Sequence, residues 1–229
     1  CSYPCKLTAQ DTIRQNELMC GSPLDENGIL LYPDGEPRFR MIYVNGGLAT
    51  KHGNSLTPEG RENVRKYIEN GGSYVGSCAG MFLASNGVYN EGTEYTPNKS
   101  YLSIWPGTTA ESWLDNSYTT VRIPKDSPLL KYYDFGGDLK VDDLRHSNGG
   151  YAYYGEGGII PEGTEPLFRF VYDTVSVDAK TRHIHDQVCG WAYKKSEESG
   201  RVVITGSHPE MFAVGERLEL MAAMTQYAL

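Results

Sequence analysis

The sequence contains no run of about 18 consecutive apolar residues, so we predict no membrane-spanning helix. Basic charge is scarce: 21 Lys and Arg stand against 29 Asp and Glu, which gives a formal net charge of -8. An acidic surplus opposes binding to nucleic-acid phosphates, and no dense Lys/Arg block offsets it, so we expect no nucleic-acid partner. Internal repeats and low-complexity linkers are also absent, which favours a single domain.

What the sequence does contain is typical of an ordinary folded protein. The chain of 229 residues is 39% hydrophobic and 22% charged, long enough for one sizeable core and too short for two typical domains. We therefore predict one domain over residues 1–229. We expect residues 1–40 to be irregular or extended, because their only short apolar run is 28–32.

The cysteines leave the cellular compartment open. They are Cys1, Cys5, Cys20, Cys78 and Cys189. If Cys78 is catalytic, the other four form an even number, which would permit two disulfides. The even number of remaining cysteines and a first residue other than Met together favour a secreted or extracytoplasmic protein. Such a protein would have lost a signal peptide or would be a lipoprotein. The alternative is a trimmed cytoplasmic protein with free buried thiols.

Strands and helices alternate in the first readable part of the chain. Residues 41–44 form an apolar run that predicts a buried strand, and Thr57-Pro58-Glu59 is typical of a helix start. Asn70-Gly71-Gly72 ends that helix, a second strand follows at 73–76, and a second helix at 79–84. This order predicts a parallel sheet with helices on its faces.

The remainder of the chain has fewer clear strand and helix signals. Residues 89–163 are rich in Tyr, Gly, Asp and Asn, and we interpret them as insertions and loops over the sheet edge, with a short strand at 120–123. Apolar runs predict later strands at 167–172 and 201–205. A helix with an apolar face from Leu218 onward is predicted to end the chain.

Residues 76–80, Gly-Ser-Cys-Ala-Gly, hold the most informative motif. The motif follows a strand and precedes a helix, and small residues surround Cys78, which is typical of a nucleophile elbow. The helix directs its amino-terminal dipole at Cys78, which favours the reactive thiolate. The alternative is a buried structural cysteine in a glycine-rich turn.

Residues 206–210, Gly-Ser-His-Pro-Glu, directly follow the predicted strand 201–205. A cysteine nucleophile needs a base within hydrogen-bond reach, and that base needs an orienting partner. His208 lies at the mouth of a strand and can meet Cys78 across the carboxyl ends of a parallel sheet. Glu210 can then reach back to the imidazole and stabilise its charged form.

Gly46 and Gly47 follow the first predicted strand and supply candidates for an oxyanion site. Acyl transfer proceeds through an oxyanion that is usually held by two backbone N–H groups. One donor would be Gly46 or Gly47, and the other would be Ala79. A plain β-turn is the alternative interpretation of the glycine pair.

The ordered set of residues 44–47, 76–80 and 208–210 resembles the class I glutamine amidotransferase superfamily. Within it the chain is most similar to the family related to the amino-terminal domain of biotin–protein ligases. Softer similarities occur at 67–72, 105–107 and 147–150, so the resemblance covers most of the chain. It implies an α/β, flavodoxin-like three-layer sandwich with a mostly parallel central sheet and a nucleophile elbow. It also implies a Cys-His-Glu triad, here Cys78, His208 and Glu210.

The chain also departs from the pattern of that superfamily. Glutamine-hydrolysing members carry a Gln four residues after the nucleophile, where this chain has Phe82. The residue after the nucleophile is Ala79 and not His, which argues against the related intracellular-peptidase branch. No synthetase domain accompanies the predicted domain in this chain. We therefore expect no true glutaminase activity, and a more apolar pocket at Phe82.

Several further residues are candidates for metal ligands or for the lining of the substrate pocket. His146 and Asn148 are candidates for the substrate pocket because the resembling family has a similar Asn-Gly-Gly stretch; a simple turn is the alternative. His183 and His185 could lie on one face of a strand as metal ligands. No third ligand is evident, so we predict no metal site and no cofactor.

These residues together predict a cysteine-dependent amide hydrolase or acyl transferase that acts on a small-molecule or peptide amide. The main alternative is a non-catalytic binding or regulatory module on the same scaffold. A redox-sensing thiol is a third possibility, because an exposed thiolate oxidises readily.

Overall fold

Strands and helices alternate early in the chain, and strands dominate its later part. The computed structural model describes residues 17–22, 27–89, 95, 97–172, 174–177 and 180–229. The strands are β1 (Met41–Val44), β2 (Ser73–Ser77), β3 (Gly87–Tyr89), β4 (Thr108–Glu111), β5 (Ser117–Arg122), β6 (Lys140–His146), β7 (Gly150–Ala152), β8 (Glu165–Phe170), β9 (Thr174–Val177), β10 (Lys180–His183), β11 (Val188–Tyr193) and β12 (Val202–Thr205). The helices are α1 (Ala49–Ser55), α2 (Thr57–Glu69), α3 (Ala79–Ala84) and α4 (Glu216–Ala228). Short 3-10 helices span Pro128–Lys131, Phe135–Gly137 and Pro209–Met211.

A seven-stranded sheet in the order β1-β2-β12-β11-β8-β5-β6 forms the centre of the fold. β2 runs parallel to both β1 and β12, whereas each later neighbouring pair is antiparallel. The predicted α/β architecture is confirmed, but the sheet is mixed and not mostly parallel. Helices α1 and α2 carry the chain back between β1 and β2, while later neighbours such as β11 and β12 are joined by a turn, which reverses direction.

Residues 89–163 contribute more to the sheet than the sequence predicted. β5 and β6 extend the sheet at the edge opposite β1, so the interpretation of this region as insertions and loops is wrong for them. The strand expected at 120–123 overlaps β5 at residues 120–122, and in β5 buried Thr119 and Val121 alternate with exposed Tyr118 and Arg122. This period of two is typical of a half-buried strand, and polar residues on the exposed side obscured it in the sequence.

Helices cover both faces of the sheet and produce three layers. On one face α2 packs through Val64 and Tyr67 in a core that includes Tyr74 of β2. On the other face α4 packs through Leu220 in a core that includes Val75. Tyr74 and Val75 are adjacent in β2 and fall into different cores, because successive side chains of a strand point to opposite faces.

The parallel part of the sheet brings three chain segments to one edge. Val44 of β1 is paired with Gly76, and Ser77 of β2 is paired with Thr205 of β12. Because the three strands are parallel and in register, the residues that follow them emerge side by side. The glycine pair after β1, Cys78 after β2 and His208 after β12 therefore lie at the same edge.

The first forty residues are described only in part. Cys1 and Cys5 lie outside the described residues, whereas Cys20, Cys78 and Cys189 carry free thiols. No disulfide therefore joins the cysteines that the structure describes. Within the described ranges, no helix has both the length and the apolar character needed to cross a bilayer.

Candidate active site

Cys78 lies in the sharp turn between β2 and α3. Its backbone has φ 50 and ψ -106, a left-handed conformation that costs free energy for a residue with a side chain. The Cys78 N–H donates to the Thr205 carbonyl at 2.9 Å, and the Cys78 carbonyl accepts from the N–H of Met81 at 3.1 Å. The turn is thereby held from both sides and presents the thiol at the edge of the sheet, where it is 7% exposed.

Two glycines allow the backbone to approach closely around Cys78. A Cβ atom at Gly80 would stand 2.1 Å from the Val44 carbonyl oxygen, so α3 could not lie against β1 with any larger residue. A Cβ atom at Gly76 would stand 2.8 Å from the Gly80 carbonyl. The elbow therefore requires glycine at positions 76 and 80, because any side chain there would clash with the backbone.

His208 follows β12 and lies between Cys78 and Glu210. Its Nδ1 atom is 2.8 Å from Glu210 Oε1. Burial by itself would lower the pKa of His208, but hydrogen bonds and charge interactions with Cys78 and Glu210 raise that pKa to about 9. A Cβ atom at Gly46 would stand 2.4 Å from the His208 ring, so Gly46 leaves the space that the imidazole occupies.

A hydrogen-bonded chain continues beyond Glu210 to the other side of the sheet edge. Ser77 Oγ donates to Glu210 Oε1 at 3.0 Å, and Tyr43 Oη lies 2.8 Å from Ser77 Oγ. Burial raises the pKa of Tyr43 to about 12, and the charge of Glu210 adds to that effect. Glu210 Oε2 is buried without a partner among the described residues, so Oε1 carries the contacts that orient the carboxylate.

A cleft of about 510 Å³ opens beside the thiol. It is lined by Gly47, Leu48, Ala49, Thr50, Cys78, Phe82, Val88, Tyr101, Glu111, Ser147 and Asn148. We call it the Cys78 cleft. The Cys78 thiol donates to the Ser147 carbonyl at 3.5 Å, and Phe82 and Asn148 face the same space. This volume is in the range of small-molecule sites.

His146 is fully buried and is not among the residues that line the Cys78 cleft. Its Nε2 atom lies 2.8 Å from Ser207 Oγ, and its ring packs against Phe170. Burial, with a smaller contribution from the nearby charge of His208, lowers the pKa of His146 to about 3. His146 is therefore a neutral support beneath the strand end that carries His208, and not a pocket residue.

The candidate oxyanion donors surround the cleft at the same sheet edge. Gly47 lines the cleft, and a Cβ atom there would stand 2.7 Å from His52 Nε2. Among the described residues, no acceptor takes up the N–H groups of Gly46 and Gly47. Ala79 begins α3 directly after Cys78. The geometry brings these candidates to one place, and their role stays a prediction.

His183 and His185, the two candidate metal ligands, are not among the residues that line the Cys78 cleft. His183 ends β10, and His185 Nδ1 is 3.0 Å from the Val171 carbonyl oxygen. In the part of the chain that the structure describes, no three His, Cys, Asp or Glu residues are grouped as metal ligands would be.

Sequence reasoning missed several groups of the site. Tyr43 was predicted only as a strand residue, and Ser77 only as a small residue of the elbow, although its hydroxyl next to the nucleophile was visible in the motif. Glu111 and the Ser147 carbonyl enter the cleft from β4 and from the turn after β6. Nothing in local sequence marks them, because tertiary contacts between distant strands place them there.

Two solved structures show which class of fold this is. A crystal structure of glutamine amidotransferase matches with a TM-score of 0.54 at 16% identity, over 82% of this chain and 79% of that chain. A ThuA-like protein from Bacteroides uniformis matches with a TM-score of 0.53 at 13% identity, over 96% of this chain and 82% of that chain. At such identities the likeness concerns the fold, which is that of the class I glutamine amidotransferase-like proteins.

The sequence assigns the family within that class. The family described as "Biotin-protein ligase, N terminal" matches residues 29–227, and the chain belongs to it. The resemblance found in the sequence is thus confirmed. No curated protein sequence matches the chain.

Proposed function

We propose that this protein is a cysteine-dependent amide hydrolase or acyl transferase with Cys78 as nucleophile. The observation that carries the proposal is the hydrogen bond of 2.8 Å between His208 and Glu210 at the strand ends where Cys78, whose interaction raises the pKa of His208, lies in a strained turn beside a cleft. A buried structural cysteine needs neither a partner imidazole nor a left-handed backbone. The raised pKa of His208, about 9, also favours a protonated imidazole at neutral pH, which is the form that activates a neighbouring cysteine.

In the first half of the reaction the Cys78 thiolate attacks the carbonyl carbon of the amide. The electron pair of the carbonyl bond moves to oxygen, and the N–H groups of Ala79 and of Gly46 or Gly47 hold the oxyanion. The His208 imidazolium gives its proton to the amide nitrogen as the C–N bond breaks. An amine leaves, and a thioester to Cys78 remains.

In the second half a water molecule, or an acceptor amine or alcohol, attacks the thioester carbonyl. Neutral His208 takes the proton of the attacking group, the C–S bond breaks, and the Cys78 thiolate is regenerated. Glu210 orients the imidazole throughout and stabilises its charged form. The sequence departs from glutaminases at Phe82, which lines the cleft, so we place the substrate among amides other than glutamine.

The experiment is alkylation of Cys78 by iodoacetamide as a function of pH, in wild type and His208→Ala, with labelling located by peptide mass spectrometry. Wild type should react at pH 6 at least about tenfold faster than the variant, which should need a pH near the 8.5 of a free thiol. Cys78→Ser reports the background of the other thiols. Slow labelling that does not change in His208→Ala would leave a non-catalytic binding module.

A second measurement addresses turnover itself. Wild type is incubated with a panel of p-nitroanilides and thioesters, and intact-protein mass spectrometry follows an acyl adduct on Cys78. We expect the adduct to accumulate in wild type and to be lost in Cys78→Ser. In His208→Ala we expect a rate about a thousandfold lower, because general acid–base catalysis contributes that much.

A further inference from the structure

Glu111 places a carboxylate in the Cys78 cleft. It is the last residue of β4, whose three preceding residues are buried, and it is the exposed end of that strand. Its side chain makes no hydrogen bond or ion pair with another described residue. A carboxylate that faces a cleft without a protein partner is available to a ligand.

Among the described residues, the rest of the cleft lining contains no basic side chain. Apart from Glu111 and Cys78, the lining is apolar or carries hydroxyl, amide and backbone groups, such as Thr50, Tyr101 and Asn148. If Cys78 and His208 form a thiolate–imidazolium pair, their charges cancel. Glu111 is then the charged side chain that remains among the described residues of the cleft lining.

Arg182 contacts Glu111 through the backbone. Its guanidinium donates to the backbone carbonyl of Glu111 and lies 4.0 Å from the centre of the Trp113 ring. No ion pair joins Arg182 to the Glu111 carboxylate among the described residues. Arg182 thus fixes the end of β4 and leaves the carboxylate facing the cleft.

Tyr101 supplies a second oxygen on the same wall. Its side chain is largely buried, and burial raises its pKa to about 12, with a contribution from the charge of Glu111. The phenol therefore stays neutral and can accept a hydrogen bond. An ammonium group has three N–H donors, and a carboxylate with a nearby hydroxyl oxygen suits it.

We propose that Glu111 selects substrates that carry a cationic group, an ammonium or guanidinium, close to the amide that Cys78 attacks. This inference rests on the proposed function and names its substrate class. The formal net charge of -8 adds a weaker, long-range attraction for cations. A carboxylate next to the scissile amide would face Glu111 and be repelled.

The test uses three methanethiosulfonates of different charge as probes of Cys78. In each reaction the thiolate attacks the outer sulfur, a disulfide forms, and methanesulfinate leaves. The ethylammonium, methyl and sulfonatoethyl reagents are compared in wild type and in Glu111→Gln. We expect the ratio of the cationic to the anionic rate to fall by about tenfold in Glu111→Gln, with little change for the neutral reagent.

Glu197→Gln is the matched control because it removes the same charge. Glu197 lies in the turn between β11 and β12, at the sheet edge opposite Cys78, so the ratio should stay at the wild-type value. Glu111→Lys should invert the preference. An unchanged ratio in Glu111→Gln would overturn the inference, and so would an equal fall in Glu197→Gln.

The failure of this inference can be told from the failure of the proposed function. If iodoacetamide labelling depends on His208 but the charge preference does not depend on Glu111, the hydrolase proposal stands and its substrate class is wrong. If the charge preference depends on Glu111 but labelling ignores His208, Glu111 lines a cation-binding site without chemistry.

Discussion

The two halves of the central sheet contribute differently to the cleft. β1, β2 and β12 are parallel, and their carboxyl ends bring Gly46, Cys78 and His208 to one edge. β11, β8, β5 and β6 alternate in direction, and the chain that leaves β6 crosses the end of β12, where the His208 N–H donates to the Arg145 carbonyl at 2.9 Å. The parallel half thus positions the reactive groups, and the other half supplies part of the facing wall.

Close backbone contact joins these two halves. A Cβ atom at Gly149 would stand 1.7 Å from the Gly206 carbonyl oxygen, so the turn after β6 lies directly on the turn that carries His208. Ser147 and Asn148 reach the cleft from that turn. The parallel strands thus position the candidate reactive groups, and the turn after β6 adds residues to the cleft lining. Substitutions in the parallel half should change the rate at which every reagent labels Cys78. Substitutions in the facing wall should change the ratio of the rates of differently charged reagents.

The largest effect is expected at the contact between α3 and β1. In Gly80→Ala the new methyl group would meet the Val44 carbonyl oxygen at 2.1 Å, so either the helix or the strand must move. We expect a loss of about 3 kcal/mol in the free energy of unfolding, measured by urea denaturation. Labelling of Cys78 by charged and neutral reagents should slow together.

Gly157→Ala is the control for this substitution. Gly157 follows β7 with φ 75, and no atom lies within 4 Å of a Cβ built there. The variant should lose only about 1 kcal/mol through backbone strain and keep normal labelling. Equal losses in the two variants would mean that the close approach of α3 to β1 does not govern the elbow.

A second, smaller effect concerns His146, which links the two halves through Ser207. In the folded protein its pKa is about 3, whereas in the unfolded chain it takes up a proton near pH 6.5. Acid therefore stabilises the unfolded state, and folding stability is lost as pH falls below about 6.5. We expect His146 to contribute a loss of about 1 kcal/mol per pH unit between pH 6.5 and 5.

His146→Gln tests this slope, since the amide can keep a hydrogen bond to Ser207 without titrating. Urea denaturation at pH 6.5 and 5 should show a flatter pH dependence in the variant. His208 contributes in the opposite direction and more weakly in this window: it stays protonated in the folded protein, whereas the unfolded chain takes up this proton near pH 6.5, so folding gains less than about 0.5 kcal/mol between pH 6.5 and 5. A slope as steep as that of wild type would show that His146 takes up its proton in the folded protein.

The sequence predicted the parallel half well and the other half poorly, for physical reasons. β1, β2 and α2 are continuous elements with clear apolar patterns and helix signals, and the elbow at Cys78 is a local steric motif. The His-Pro-Glu stretch directly follows an apolar strand. Each of these signals is contained in a few neighbouring residues, so one sequence is enough to find it.

The wall of the cleft depends on contacts between distant parts of the chain. β5 has few large apolar residues, and it is a strand because β6 and β8 pair with it. Glu111 is indistinguishable from a surface carboxylate until β4 is placed beside α3. His146 was predicted in the pocket because the resembling family has a similar Asn-Gly-Gly stretch there, but His146 belongs to strand β6 and is fully buried.

The hydroxyl chain beside Glu210 should affect the reactivity of Cys78 more moderately. Ser77→Ala removes the donor that lies 3.0 Å from Glu210 Oε1, so the carboxylate holds the imidazole less well. Hydrogen bonds to charged groups are worth about 1.5–3 kcal/mol, and we expect labelling at neutral pH to fall by about tenfold. A rate equal to that of wild type would show that His208 alone orients Glu210.

Tyr43→Phe should have the smallest effect, because Tyr43 Oη lies 2.8 Å from Ser77 Oγ, and it is Ser77 Oγ that donates to Glu210 Oε1 at 3.0 Å. Loss of that hydroxyl leaves Ser77 free to rotate while its bond to Glu210 can still form, so we expect a decrease in labelling of about threefold. The profile of labelling rate against pH should move in the same direction as in Ser77→Ala. Since the phenyl ring preserves the packing, the free energy of unfolding should change by less than about 1 kcal/mol. A larger effect in Tyr43→Phe than in Ser77→Ala would contradict this order and indicate that the Tyr43 hydroxyl, and not that of Ser77, makes the stronger contact with the Glu210 carboxylate.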